Sequence, residues 1–158
     1  MNRDDAMAVA TNLQTTDGLF WPVPVLNMTE QFDGSAGDRV ALLDPNRDGN
    51  PLLAVMTVEA VESLSDDDMA VMTAEVFGTD DSNHPGVATF NSQGRVLLSG
   101  PIEVLNYSYF EEDFPDTFRT AMAIRSEMES LGWSQVVAFQ TRNPMHRAHE
   151  ELCRMAMD

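Results

Sequence analysis

Residues 140–150 read QTRNPMHRAHE and gather a side-chain amide, two guanidinium groups and two imidazoles within ten positions, Gln140 to His149. These side chains donate hydrogen bonds to oxyanions, and Arg142 offers a planar fork that matches two oxygens of a sulfate or phosphate. The spacing predicts how they would act together. Asn143-Pro144 is a helix-start signal, with Asn as N-cap and Pro at the first helical position. In a helix from Pro144, Met145, Ala148, Leu152 and Met155 form the core face, while His146 and His149 lie about 60° apart around the axis. Helical side chains lean toward the N-terminus, so both imidazoles are expected to point back toward Gln140 and Arg142. The free N–H groups of the first turn point the same way and favour an anion. The chemistry is therefore anion binding, through five donor sources.

The surroundings sharpen the contrast. The 139 preceding residues carry 6 arginines against 23 acids, whereas the last 19 hold 3 of each. All nine basic residues are arginine, and the net charge is −17 with a pI near 4.2. So acidic a surface repels a nucleic-acid backbone, which disfavours DNA and RNA as partners. The acidity fits either a saline habitat or compositional drift. An apolar share of 43% is enough for a folded core. No apolar run approaches the roughly 18 residues of a membrane span, and the N-terminus lacks a signal-peptide pattern. Cys153 is alone, so no internal disulfide framework exists. A soluble cytoplasmic protein is the expectation.

The elements that must position the loop follow from periodicity. The first 115 residues read as β-rich with helical inserts. A helix is expected over Arg3 to Leu13, an edge strand over LFWPVPVLNM (19–28), and strands over RVALLD (39–44) and PLLAVMTVEAV (51–61). A helix is expected over SDDDMAVMTAEVF (65–77) with Ser65 as N-cap, then a loop GTDDSNHPG and a further strand run GRVLLSGPIEVLNY (94–107). The acidic, aromatic stretch 109–118 is expected to be a junction, giving domains over 1–115 and 116–158. Beyond it, Thr120 caps a helix whose apolar positions are Ala121, Ile124, Met128 and Leu131, and Gly132 ends it. SQVVAF (134–139) then reads as a strand buried in a parallel sheet. Helix, buried strand, tight loop and helix open an α/β nucleotide-binding unit, in which ligands sit beyond the carboxyl ends of the strands.

FQTRNPMHRAHEEL closely resembles the Q-x-R-N-P-x-H-x-x-H-E signature of the ATP sulfurylase (sulfate adenylyltransferase) family. EVFGTDDSNHPGV looks like the H-P segment of that family's first domain. DGLFWPVPV resembles its W-x-x-P strand, and LGWSQVVAFQTRNP the approach to its second domain. The resemblance implies a PUA-like β-rich domain followed by an α/β nucleotidylyltransferase domain. It also implies a reaction joining sulfate to ATP, as MgATP, to give adenosine 5′-phosphosulfate and pyrophosphate. Carried over by position, Gln140 and Arg142 would contact sulfate. Gln140, Thr141, Arg142, Asn143, His146 and His149 would contact ATP, and Thr141, Arg142 and Asn143 are the positions the family treats as catalytic. Against that family the chain is expected to be a piece cut at both ends. It lacks an early S-P-L-x-G-F region and a later G-R-D-H motif, and alone it should be inactive. ATP and sulfate are the expected partners, with homo-oligomerisation of the full-length protein.

Other readings of the same residues remain open. One is a non-catalytic nucleotide- or anion-binding module; another is a metal site using His146, His149 and Glu150. The latter departs from the H-E-x-x-H order of zinc proteins and has no evident further ligand. DPNRDG (44–49) imitates the start of a calcium loop through Asp44, Asn46, Asp48 and Gly49, but Val55 stands where a bidentate Glu is required, so a β-turn is expected. Asp66 to Asp68 read as helix-capping acids, His84 as a structural loop residue, and Cys153 as packing.

Overall fold

The computed structural model describes residues 1–157, and the chain divides into two compact units, Met1–Tyr109 and Phe110–Asp158. In the first unit, helix α1 (Arg3–Asn12) starts at Asn2, whose side chain accepts the Asp5 amide at 2.8 Å. Asp4 and Asp5 occupy its electropositive first turn, and its inner face buries Ala6, Val9 and Ala10. Six short strands follow: β1 (Asn27–Thr29), β2 (Arg39–Leu43), β3 (Leu52–Thr57), β4 (Ala60–Ser63), β5 (Val96–Ser99) and β6 (Ile102–Val104). They form two antiparallel three-stranded sheets, ordered β1-β5-β4 and β2-β3-β6.

Two runs that read as single strands are each cut in the middle. Residues 51–61 belong to one sheet as β3 and to the other as β4; residues 94–107 do the same as β5 and β6. The two corners lie side by side. Thr57 N–H donates to Pro101 C=O at 3.0 Å, and Glu59 N–H to Ser99 C=O at 2.8 Å. Gly100 between them adopts φ 155°, and a Cβ there would lie 1.9 Å from the Thr57 carbonyl oxygen. Backbone approach this close requires glycine, and continuous apolar periodicity cannot reveal it.

The segment 19–28 joins a sheet only at its end. Asn27 begins β1, while Phe20 makes an isolated bridge to Gln14. Pro22 and Pro24 remove the ladder donors that a longer edge strand needs. Helix α2 (Asp66–Phe77) has the expected Ser65 cap in a reciprocal capping box with Asp68. Helix α3 (Pro85–Asn91) arises inside the stretch that reads as loop and strand approach. His84 caps it through Nδ1, which accepts the Val87 amide at 3.4 Å, a structural role.

The core is built by α1, α2, β4 and β5: Ala6, Ala10, Leu64, Met69, Met72 and Leu97, with Met7, Leu26, Met28, Val76 and Phe90 packed against it. An ion pair closes it. Arg3 donates to both Asp68 oxygens at 2.9 and 2.8 Å, and Ser65 adds its amide and hydroxyl at 2.9 and 2.8 Å. These bonds, Arg3's foremost, hold the Asp68 carboxyl down at about 2.

The second unit contains α4 (Phe110–Asp113), α5 (Ala121–Leu131) and α6 (Arg147–Met155). Thr120 caps α5 by accepting the Ala123 amide at 3.1 Å, and Gly132 ends it in the left-handed conformation. Residues 134–139 are not a strand, contrary to expectation, and every one is exposed. A parallel strand is stable only between paired neighbours that satisfy its backbone and cover both faces. Among the described residues no strand stands beside it. None of the helices in this unit buries a residue.

Candidate functional site

Helix α6 starts three residues later than Asn143-Pro144 would have it. His146 is the N-cap, with extended backbone at φ −137° and ψ 175°, and Arg147 is the first helical residue. Before it, the Thr141 hydroxyl oxygen accepts the Asn143 amide at 3.1 Å and donates to the Asn143 carbonyl at 3.2 Å. That closed turn, together with the bias of a pre-proline residue against helical geometry, leaves 141–145 as a bend outside the helix. The N-cap function passes to His146, whose amide donates to His149 Nδ1 at 3.4 Å, while its carbonyl accepts the His149 and Glu150 amides at 2.9 and 3.1 Å. Of the expected core face, Met145, Leu152 and Met155 are each more than half exposed, and Ala148 is exposed too.

The imidazoles nevertheless meet. The His146 and His149 rings are 3.8 Å apart between centroids and 30° from parallel. The three-residue spacing that puts side chains on one stripe of a helix also lets an N-cap face its N3 residue. Because His149 Nδ1 accepts a backbone bond, the neutral ring carries its proton on Nε2, which is left as a donor. The Arg147 and Ala148 amides, in the first turn, have no acceptor among the described residues. The Phe139 ring lies 5.4 Å from that of His149, tilted by 51°. Sequence reading assigned Phe139 to a strand core and missed this contact; its only signal was an aromatic residue next to Gln140.

Gln140 and Arg142 are exposed, and among the described residues neither bonds to the histidines. Arg142 forms no ion pair there, so its donors are uncommitted. The expected convergence of five donors thus divides in two. The structure brings together the imidazole pair, the α6 amides and Phe139, and it leaves Gln140 and Arg142 on a solvent-facing bend. The metal alternative gains nothing from this arrangement. Glu150 is engaged by Arg154 at 2.6 Å one helical turn away, and among the described residues no three His, Cys, Asp or Glu side chains cluster as ligands. Cys153 is half-buried in an apolar recess with Val137, Phe139 and Leu152. The calcium-loop look-alike is a turn whose Asp44 accepts the Asn46 amide at 2.9 Å, and Val55 lies within β3.

An all-antiparallel β unit with capping helices, followed by a loop and helix N-terminus rich in anion donors, defines a two-part architecture. Residues 1–107 match the PUA-like domain family, and residues 115–158 match the ATP-sulfurylase family. The chain is 62% identical to the sulfate adenylyltransferase of Allochromatium vinosum over all of its own length and 40% of that protein's. Against the sulfate adenylyltransferase of the Riftia pachyptila sulfur-oxidizing endosymbiont the identity is 61%, covering 100% of this chain and 36% of the relative. Its fold is similar to part of the hexameric APS kinase from Thiobacillus denitrificans, with a TM-score of 0.60 and 25% identity over 99% of this chain and 26% of that one. The chain belongs, through its first 107 residues, to the PUA-like domain family, and its residues 115–158 are similar to the ATP-sulfurylase family. It spans about 40% of the length of the curated relatives it matches. Among the described residues no helix is long and apolar enough to cross a membrane.

Proposed function

We propose that this chain is the PUA-like domain and the opening of the catalytic domain of a cytoplasmic sulfate adenylyltransferase, with domains over 1–115 and 116–158. The observation that carries the reading is an unbroken Gln140-Thr141-Arg142-Asn143 run leading into a helix N-terminus where His146 and His149 stack. The 62% identity to a relative of that name supports it.

Sulfate is a dianion at neutral pH, so it needs no general base to attack phosphorus. One sulfate oxygen forms a bond to the α-phosphorus of ATP as the bond from that phosphorus to the bridging oxygen breaks. Pyrophosphate leaves with the electron pair, and adenosine 5′-phosphosulfate remains. The difficulty is electrostatic: two anions must be held in line while charge grows on the phosphoryl oxygens and the leaving group. Arg142 and Gln140 hold sulfate. Thr141 and Asn143 fix the bend that carries Arg142 and, with Gln140, face the phosphates. His149 Nε2–H and His146 donate to the phosphate chain, beside the Arg147 and Ala148 amides. Magnesium arrives as part of the MgATP substrate and neutralises phosphate charge; the Gln, Arg and His donors here suit the anion and not a cation.

The test uses a chimera in which this chain replaces the matching 40% of the Allochromatium vinosum relative. The chimera should release pyrophosphate from ATP only when sulfate is present, and Arg142→Ala should lower that rate about 10²–10³-fold, the usual cost of one transition-state donor. The 158-residue chain alone should show no such release. A chimera that folds, binds ATP and turns nothing over would favour the non-catalytic binding module instead. Sedimentation of the same chimera would report whether the assembled protein is a homo-oligomer.

A further inference from the structure

A buried carboxylate in the first unit has no part in that chemistry. Asp44 is 1% exposed, at the end of β2. Its amide donates to Pro51 C=O at 2.9 Å, one oxygen accepts the Asn46 amide, and the other accepts the Ser108 hydroxyl across 64 residues of sequence. Strand β6 ends at Val104, yet the next four residues do not run free. Leu105 and Asn106 amides donate to Leu53 C=O at 2.8 and 3.2 Å. The Asn106 side chain donates to Leu52 C=O and accepts the Ser108 amide at 2.9 Å. Ser108 is held at φ 60°, a left-handed conformation that a non-glycine residue keeps only where its surroundings over-determine it. The first unit ends one residue later, at Tyr109.

We propose that Asp44 and Ser108 form a clasp that pins residues 105–108 to the 44–51 turn and so fixes where the chain leaves the PUA-like unit. The stretch between β6 and the end of the first unit is then part of that unit's rigid body. The Asp44 bonds give this buried carboxylate its role: it accepts two donors, one from each of the two segments it joins. Ser108 and Asn46 foremost, and then the Arg47 charge, favour the ionised form that accepts them.

Amide hydrogen exchange on the 158-residue chain tests this, with Asp44→Ala and Ser108→Ala as variants. Both should speed exchange of the Asn106 and Ser108 amides about tenfold or more while β2, β3 and β5 keep their protection. Unchanged exchange at 105–108 in a folded Ser108→Ala chain would overturn the clasp. So would acceleration spread evenly over the whole first unit, since Asp44 and Ser108 would then serve only general stability. If Asp44→Ala fails to fold, Ser108→Ala decides alone, because it deletes one hydroxyl and leaves the buried carboxylate its Asn46 partner.

Discussion

The two units of this chain treat their apolar residues in opposite ways. The first buries twelve hydrophobic side chains, from Ala6 to Leu98, and closes its core with the Arg3–Asp68 pair. The second has none buried among the described residues, and it exposes Trp133 at 60%, Val137 at 69% and Met155 at 67%. Yet both were equally apolar in sequence. What separates them is partnership: each strand of the first unit pairs within that unit, β2 with the nearby β3 and β1, β4 and β6 with partners more than 30 residues away, whereas among the described residues no strand stands beside 134–139. The PUA-like unit thus buries its apolar residues within itself, and the second unit leaves its own exposed among the described residues.

The largest test of that difference strikes the core. Leu97 is fully buried on β5, and Leu97→Ala should destabilise the first unit by about 2–5 kcal/mol through lost burial and a residual cavity, read as a shift in the urea midpoint. Helicity of α5 should survive that unfolding if the units are independent. A single transition carrying both signals would show that the second unit leans on the first.

A smaller effect comes from acid. The folded Asp68 carboxyl lies at about 2, below its ordinary value of 3.8. A depressed carboxyl contributes stability above its unfolded value and loses it as pH falls toward the folded one, so the loss runs from about pH 5 down to 2. The shift corresponds to at most about 2 kcal/mol, and partial exposure of Arg3 reduces it toward 1. Arg3→Met should flatten that part of the stability curve for the first unit while leaving the second unit's helicity unchanged over the same range.

How far the sequence was readable follows the same line. Helices with local signals were legible: Ser65 with three aspartates, and Thr120 with Gly132, because caps are set within four residues. The sheet corners were not, since Gly100 matters only through its approach to Thr57, 43 positions away in the chain. At the site, the donors and the pairing of His146 with His149 could be read from their three-residue spacing. The helix start could not: Asn143-Pro144 is a strong local signal, but the Thr141–Asn143 turn and the His146 amide bond to His149 outweigh it. The strand at 134–139 was read from composition that describes a buried environment, and composition cannot supply the neighbours that create one.

The smallest effect discriminates best. Val137 is 69% exposed, so Val137→Ser removes almost no burial and should change the stability of the 158-residue chain by less than about 0.5 kcal/mol. In the chimera with the rest of the relative's length, the α/β reading places Val137 on a strand covered on both faces. There the same substitution should cost about 1–3 kcal/mol, because a valine's apolar contacts are lost and a hydroxyl must be buried. It should also lower sulfate-dependent turnover by loosening the strand that ends at Gln140. Measured by urea titration in both proteins, the gap between the two costs isolates what the additional sheet contributes at this position. Equal small costs would mean that residues 134–139 remain exposed in the longer protein, and the bend carrying Arg142 would then need some other support.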